Sequence, residues 1–188
     1  MITGSRFKLS RDRLYSFSEY SHQRLKTRRL NMSQTENLPE IRTYILDSRY
    51  ALLTYVRRDL TPVSRAIGSF APDGDDLYFS TGKESSKVQE IKYNKRVSFY
   101  FEHDNQVLES WKSVLLIGDA EPVSAGSADY DKAIERLGAK SPRFRERVAN
   151  GDLDSAVIYR INTRELEYLD RSKGYGPPLN ISVNKHIG

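Results

Sequence analysis

The 188-residue chain contains no cysteine, and this single absence removes disulfide scaffolds, thiolate metal sites and cysteine nucleophiles together. It fits a reducing compartment, and the expected location is the cytoplasm. Histidine is nearly as scarce, since His22, His103 and His186 are the only three, too scattered to suggest a zinc site. Long hydrophobic runs are missing as well. The longest aliphatic run, Val114 to Ile117, falls far short of the ~20 residues that a membrane-spanning helix requires, so no membrane association is expected. There is no internal repeat and no low-complexity segment.

Acidic residues are scarce in one place only. Residues 1–31 carry eight Lys and Arg against Asp12 and Glu19, a net +6, whereas the other 157 residues total −1. The chain's overall +5 therefore belongs to its first segment and not to its body. That segment is rich in Arg and Ser and lacks the 7–15-residue apolar core of a secretory signal. Three readings stay open for it: a leader upstream of a true start at Met32, an organelle-targeting peptide, or a basic arm that touches phosphate. Nucleic-acid binding is expected of the body in none of them; if it occurs, it should vanish when residues 1–31 are deleted.

The body, residues 37–170, reads as a string of short strands and helices between an N-terminal extension (1–36) and an irregular tail (171–188). Asn37-Leu38-Pro39-Glu40 predicts a helix start, with a capping residue, then Pro and Glu in the first turn. Extended runs follow at Ala51 to Val56, Pro62 to Ala71, Leu77 to Ser80, Arg96 to Glu102, Lys112 to Val123 and Ala156 to Leu169. Between them, helices are expected from Lys83 to Asn94, from Ser127 to a stop at Gly138, and from Ser141-Pro142 onward. Six antiparallel strands in hairpins, with no regular strand–helix alternation, predict a mainly β fold: a β-barrel with flanking helices.

The densest chemistry lies in Ser80-Thr81-Gly82-Lys83-Glu84-Ser85-Ser86-Lys87. It joins a strand end to a helix start, where hydroxyls, an ammonium and free backbone N–H groups would meet a phosphate; the same residues also serve ordinary capping. The spacing is not that of a nucleoside triphosphate loop. Upstream, Ser64, Ala66 and Gly68 share one face of a strand and leave it nearly bare, so that a flat ring could approach the backbone. Arg65 points to the opposite face, as a ligand contact or a surface charge.

Taken in order, Ala51 to Val56, Pro62-Val63-Ser64-Arg65-Ala66-Ile67-Gly68, Leu77-Tyr78-Phe79-Ser80-Thr81, Ser86-Lys87-Val88-Gln89-Glu90-Ile91, Asn94-Lys95-Arg96-Val97-Ser98-Phe99 and Val114 to Glu121 resemble the FMN-binding split barrel of the pyridoxamine 5′-phosphate oxidase-like superfamily. The resemblance spans roughly residues 38–170 and implies a six-stranded antiparallel split barrel, a homodimer, and FMN at the subunit interface. It implies that Arg65, Ala66, Ile67 and Gly68 line the flavin, that Ser80 and Thr81 donate to it, and that Ser86 and Lys87 hold the phosphate. Ser86 stands where those oxidases carry an arginine, and Lys83 is the nearest charge to compensate. Ser113 falls where they place a flavin-contacting glutamine. Trp111 beside it would either cover the ring or pack locally.

Two departures point away from the oxidase itself and toward a general stress protein or flavin oxidoreductase. Ser69-Phe70 stands where the family's substrate lysine would lie. Arg171 to Pro178, with Tyr175 as a candidate contact, replaces its terminal Trp and Arg segment. The expected activity is hydride transfer through bound FMN to or from a small substrate, with a reduced nicotinamide as one possible donor and no catalytic side chain. The alternative is a non-catalytic binder of flavin, deazaflavin or haem, for which His103 is the only histidine well inside the body that could serve as axial ligand.

Overall fold

The computed structural model describes residues 36–183, so the basic segment at 1–31 and its three readings lie outside the described residues. Helix α1 (Leu38–Asp47) begins where expected, with Pro39 and Glu40 in its first turn, but the expected cap is not made: Asn37 has helical backbone angles and its side chain makes no capping hydrogen bond; the helix buries Ile41, Tyr44 and Ile45. Strands β1 (Ala51–Val56) and β2 (Pro62–Ile67) form the expected hairpin, with Ala51 opposite Ile67.

The run from Pro62 to Ala71 is two strands, not one. It breaks at Gly68-Ser69, and β3 (Phe70–Asp73) pairs with β4 (Asp76–Gly82) instead of β1. Ile67 and Phe70 explain the break. Three residues apart, they would face opposite sides of an unbroken strand, yet both are buried in the interior cluster, and the bend lets both enter it. With β5 (Arg96–Glu102), β6 (Lys112–Pro122) and β7 (Ala156–Asp170), the sheet runs β2-β1-β5-β6-β7-β4-β3. Its two ends are consecutive in sequence, so it curls into a barrel joined by the Gly68-Ser69 bend, where the Ser80 N–H donates to the Ser69 carbonyl (3.0 Å).

A short eighth strand, β8 (Leu179–Ser182), pairs with β7 and sets Ile181 into the core, where an irregular tail was expected. Its inward alternation is only Leu179 and Ile181, too brief to stand out behind the Gly- and Pro-rich residues before it. The fold is thus the mainly β split barrel with flanking helices, with eight strands among the described residues instead of six.

The helices depart from expectation at two ends. Helix α2 (Ser86–Tyr93) starts three residues late, because Gly82 to Ser85 closes a turn in which the Ser85 N–H reaches the Gly82 carbonyl (3.1 Å). Helix α3 (Ala128–Lys140) runs through Gly138; Arg145 Nε satisfies the Gly138 carbonyl (2.9 Å) and Lys140 Nζ spans to the carbonyls of Leu46 and Ser48 (2.8 and 2.7 Å). Helix α4 (Pro142–Ala149) follows at once, its Ser141 side chain accepting from the Phe144 N–H.

Two apolar layers result. Inside the barrel, Phe79 packs against Phe99 and Tyr159 at 5.3 and 5.1 Å between ring centroids. Outside it, Tyr78 and Ile158 meet Ala133, Leu137 and Phe144 of α3 and α4. Both faces of β4 are therefore covered, which is why Asp76 to Thr81 are all buried. The β6–β7 ladder slips at Ile117/Gly118, and a Cβ on Gly118 would lie 2.6 Å from the Asn162 carbonyl oxygen and 2.7 Å from Ile161 Cγ2. Gly118→Ala is expected to cost about 1–3 kcal/mol, read as a lower denaturant midpoint at unchanged slope. A midpoint equal to wild type would show that the two strands part without penalty.

Candidate functional site

The barrel bend, the end of β4, the start of α2 and the start of α4 enclose an open cleft of about 540 Å³, within the range of small-molecule sites. Its floor is Ala66, Ile67 and Gly68. A Cβ at Gly68 would meet nothing within 4 Å, so the backbone is open to a ligand there. Ser69 Oγ and Ser80 Oγ share a hydrogen bond of 2.6 Å beside it. The bare strand expected from Ala66 and Gly68 is real, whereas Ser64 is not part of the lining and bonds to Thr54 instead (2.8 Å).

Lys87, in the first turn of α2, turns back toward β4 and donates from Nζ to Thr81 Oγ1 (2.8 Å) and Ser85 Oγ (2.7 Å). An ammonium has three donors, so one remains for a ligand, and the two hydroxyls keep their own protons to give. Burial, and next the charge of Arg65, push Lys87 below the ordinary lysine range. Arg65 Nη1 holds the Ser64 carbonyl (2.9 Å). Among the described residues neither cation is paired with a carboxylate, and neither is Arg143, which faces the cleft from α4 with Arg147. Lys87, Arg65 and Arg143 thus bring positive charge without a carboxylate partner, and Arg147 adds a charge shared with Asp152 (3.5 Å), around an open floor, an arrangement that favours an anion.

Of the residues expected from the sequence, Ala66, Ile67, Gly68, Ser80, Thr81 and Lys87 are brought together here, with Arg65 close enough to act on Lys87. Ser86 is exposed at the helix start, outside the lining. Lys83 does not line the cleft either; its backbone N–H bonds to the Ser155 carbonyl (2.9 Å). The further basic residues at the cleft are Arg143 and Arg147, on its α4 side. Their i, i+4 spacing after the Ser141-Pro142 cap was visible in the sequence, but the placement of α4 over β2 and β4 was not.

Trp111 and Ser113 lie elsewhere. Ser113 pairs with Leu169 of β7, whereas Thr81 pairs with Val157, twelve positions earlier on the same strand, or roughly 40 Å of extended chain. One protomer therefore does not bring them to the same cleft. Trp111 follows a single 3₁₀ turn (Leu108–Ser110), and Tyr175 rests against Arg171, 5.2 Å from ring centroid to guanidinium. His103 is stacked on Tyr44 at 3.9 Å, and its Nε2 contacts the Tyr44 carbonyl (3.1 Å). Among the described residues, no histidine, methionine or tyrosine lines the cleft. No cluster of metal-ligating side chains occurs among the described residues, and no helix among them is long and apolar enough to cross a membrane.

Fold and cleft together define a split-barrel protein with an open, cation-lined cleft at the barrel bend. The sequence matches the profile of pyridoxamine 5′-phosphate oxidase over residues 38–170, and the chain belongs to that family. No curated protein sequence matches it significantly. Among solved structures, it is similar to a haem-binding protein from Mycobacterium smegmatis (12% identity, 75% of this chain and 55% of that one, TM-score 0.64), so it spans little more than half of that protein. It is also similar to a Clostridium acetobutylicum protein related to general stress protein 26 of the pyridoxinephosphate oxidase family (16%, 79% and 95%, 0.59). A third likeness is to the haem storage protein HutZ from Vibrio cholerae (18%, 68% and 91%, 0.57).

Proposed function

We propose that the cleft binds FMN and that the protein is an FMN-dependent oxidoreductase working as a homodimer. The observation that carries this reading is Lys87, paired with no carboxylate among the described residues and held by the Thr81 and Ser85 hydroxyls beside the open Ala66–Gly68 floor. Lys87, with the Thr81 and Ser85 hydroxyls, would take the phosphate, and the bare strand would let the ring lie against backbone. The flavin, when bound, supplies hydride chemistry; the chain binds, orients and shields it. Haem is supported less well, because the described lining residues offer no axial ligand and His103 is engaged with Tyr44.

Two features support the homodimer. Trp111 and Ser113 are too far from their own protomer's cleft to meet its flavin, but they can serve that of a second copy. The outer face of the β1–β5–β6 sheet also leaves Leu52, Tyr100, Leu115 and Ile117 partly exposed, in two adjacent cross-strand rows, an apolar surface suited to self-association. The cysteine-free composition fits a cytoplasmic setting.

The absorbance spectrum tests the reading. The expected result is a pair of bands, one near ~450 nm, on purification or after reconstitution with FMN, bleached by a reduced donor. A Soret band would replace flavin with haem. Flavin bands that no donor bleaches would mean a carrier, and a colourless protein that takes up no FMN would overturn the proposal.

A further inference from the structure

Helix α4 places its charges against its own stability. Helix N-termini favour acids, yet the first turn of α4 contains none and includes Arg143, with Arg145 next to it. Arg145 has a structural explanation, since it caps α3 through the carbonyls of Gly138 and Ala139 (2.9 and 3.4 Å). Arg143 and Arg147 have none of this kind. They stand one turn apart, a spacing at which like charges repel, and both line the cleft. Among the described residues, the only ionic contact to either is from Arg147 Nε to Asp152 on the exposed surface, at 3.5 Å.

Resting on the flavin reading, we infer that Arg143 and Arg147 clamp the diphosphate of a reduced nicotinamide dinucleotide, so that the hydride donor is a dinucleotide and not a small uncharged substrate. Lys87 and its hydroxyls sit on the β4–α2 side and suffice for one phosphate. The arginine pair forms a second positive locus on the α4 side. Guanidinium forks suit phosphate oxygens, and Cβ atoms one turn apart, ~5–6 Å, suit two linked phosphates better than one. Arg143 is exposed at the cleft rim, so the remainder of a long ligand can extend into solvent.

The test is the double variant Arg143→Gln, Arg147→Gln. Inorganic pyrophosphate is titrated into FMN-loaded protein and followed by ³¹P NMR, and flavin reduction is measured with NADH and with uncharged 1-benzyl-1,4-dihydronicotinamide. The expected results are at least a tenfold weakening of pyrophosphate, a similar rise in KM for NADH, and unchanged reduction by the uncharged donor, with Lys87→Ala leaving pyrophosphate binding intact. Equal losses with both donors would overturn the clamp. So would a tenfold loss of FMN affinity with riboflavin binding unaffected, because the arginines would then hold the cofactor's own phosphate. If the protein takes up no flavin, the flavin reading fails on its own, and pyrophosphate titration of the colourless protein still decides whether the arginines form a diphosphate site.

Discussion

Replacing Lys87 with alanine is expected to weaken FMN roughly tenfold to hundredfold while leaving riboflavin within about threefold, since a charge-assisted hydrogen bond to phosphate contributes about 1.5–3 kcal/mol. The two ligands differ by the phosphate alone, so the ratio of their losses isolates the ammonium. Thermal stability of the ligand-free protein gives an independent control. Burial disfavours the charged form of Lys87, so the folded state binds this proton less readily than the unfolded chain does, and the lysine costs stability at neutral pH. Removing it should leave the ligand-free protein as stable as before or slightly more so. Equal losses for FMN and riboflavin, or a clear fall in stability, would assign Lys87 to packing.

The same reasoning fixes a pH dependence. Lys87 is charged below its lowered value and neutral above it, so the preference for FMN over riboflavin should be full at neutral pH. It should decline as pH rises, beginning below the ordinary lysine range of ~10.4. Bound phosphate favours the ammonium, which moves the decline upward in the complex and makes binding at alkaline pH take up protons. Fluorescence titrations of both flavins between about pH 7 and 10 would show the divergence. Parallel curves would count against the ammonium.

Local signals carried most of what could be read in advance. The Ser141-Pro142 cap, the hairpin of β1 and β2 and the β6 run all formed near their expected bounds, because caps, turns and alternation act over a few residues. The break between β2 and β3 was invisible because it is enforced from a distance. Only the curl of the whole sheet requires Ile67 and Phe70 to face the same interior. Half of the site was legible for the same reason. Ser80, Thr81 and Lys87 lie in one continuous stretch, with the bare strand just upstream, whereas Arg143 and Arg147 reach the cleft only because α3 is fastened to the sheet some 50 residues after β4.

That fastening carries the largest expected loss of stability. Asp76 is buried and accepts from Arg160 through Nη2 and Nε (2.8 and 3.2 Å) and from the Thr163 N–H (3.0 Å). Arg160 Nη1 continues to Asp129 of α3 (2.7 Å) and to the Tyr78 hydroxyl (3.0 Å), and Lys132 of α3 reaches Asp73 (2.7 Å). Burial, and next the hydrogen bond to Asp129, push the Tyr78 phenol well above its ordinary range, so it stays neutral and keeps its proton as a donor. Asp76→Ala removes the carboxylate, leaves the Thr163 N–H without its acceptor and leaves Arg160 with reduced compensation. Breaking a buried pair from one side costs about 3–5 kcal/mol; because Arg160 keeps Asp129, about 3 kcal/mol is expected, or roughly a 10 °C lower Tm. Asp76→Asn retains an acceptor for Thr163 while losing the charge, and should fall between alanine and wild type. The functional consequence is selective. With the sheet side of the anchor weakened, α3 and the α4 that follows it lose their register over the cleft, so under the proposed assignment NADH saturation should suffer more than FMN uptake, which would draw on β2, β4 and α2. An alanine variant as stable as wild type, or one that loses FMN and NADH binding in parallel, would mean that the network does not position α4.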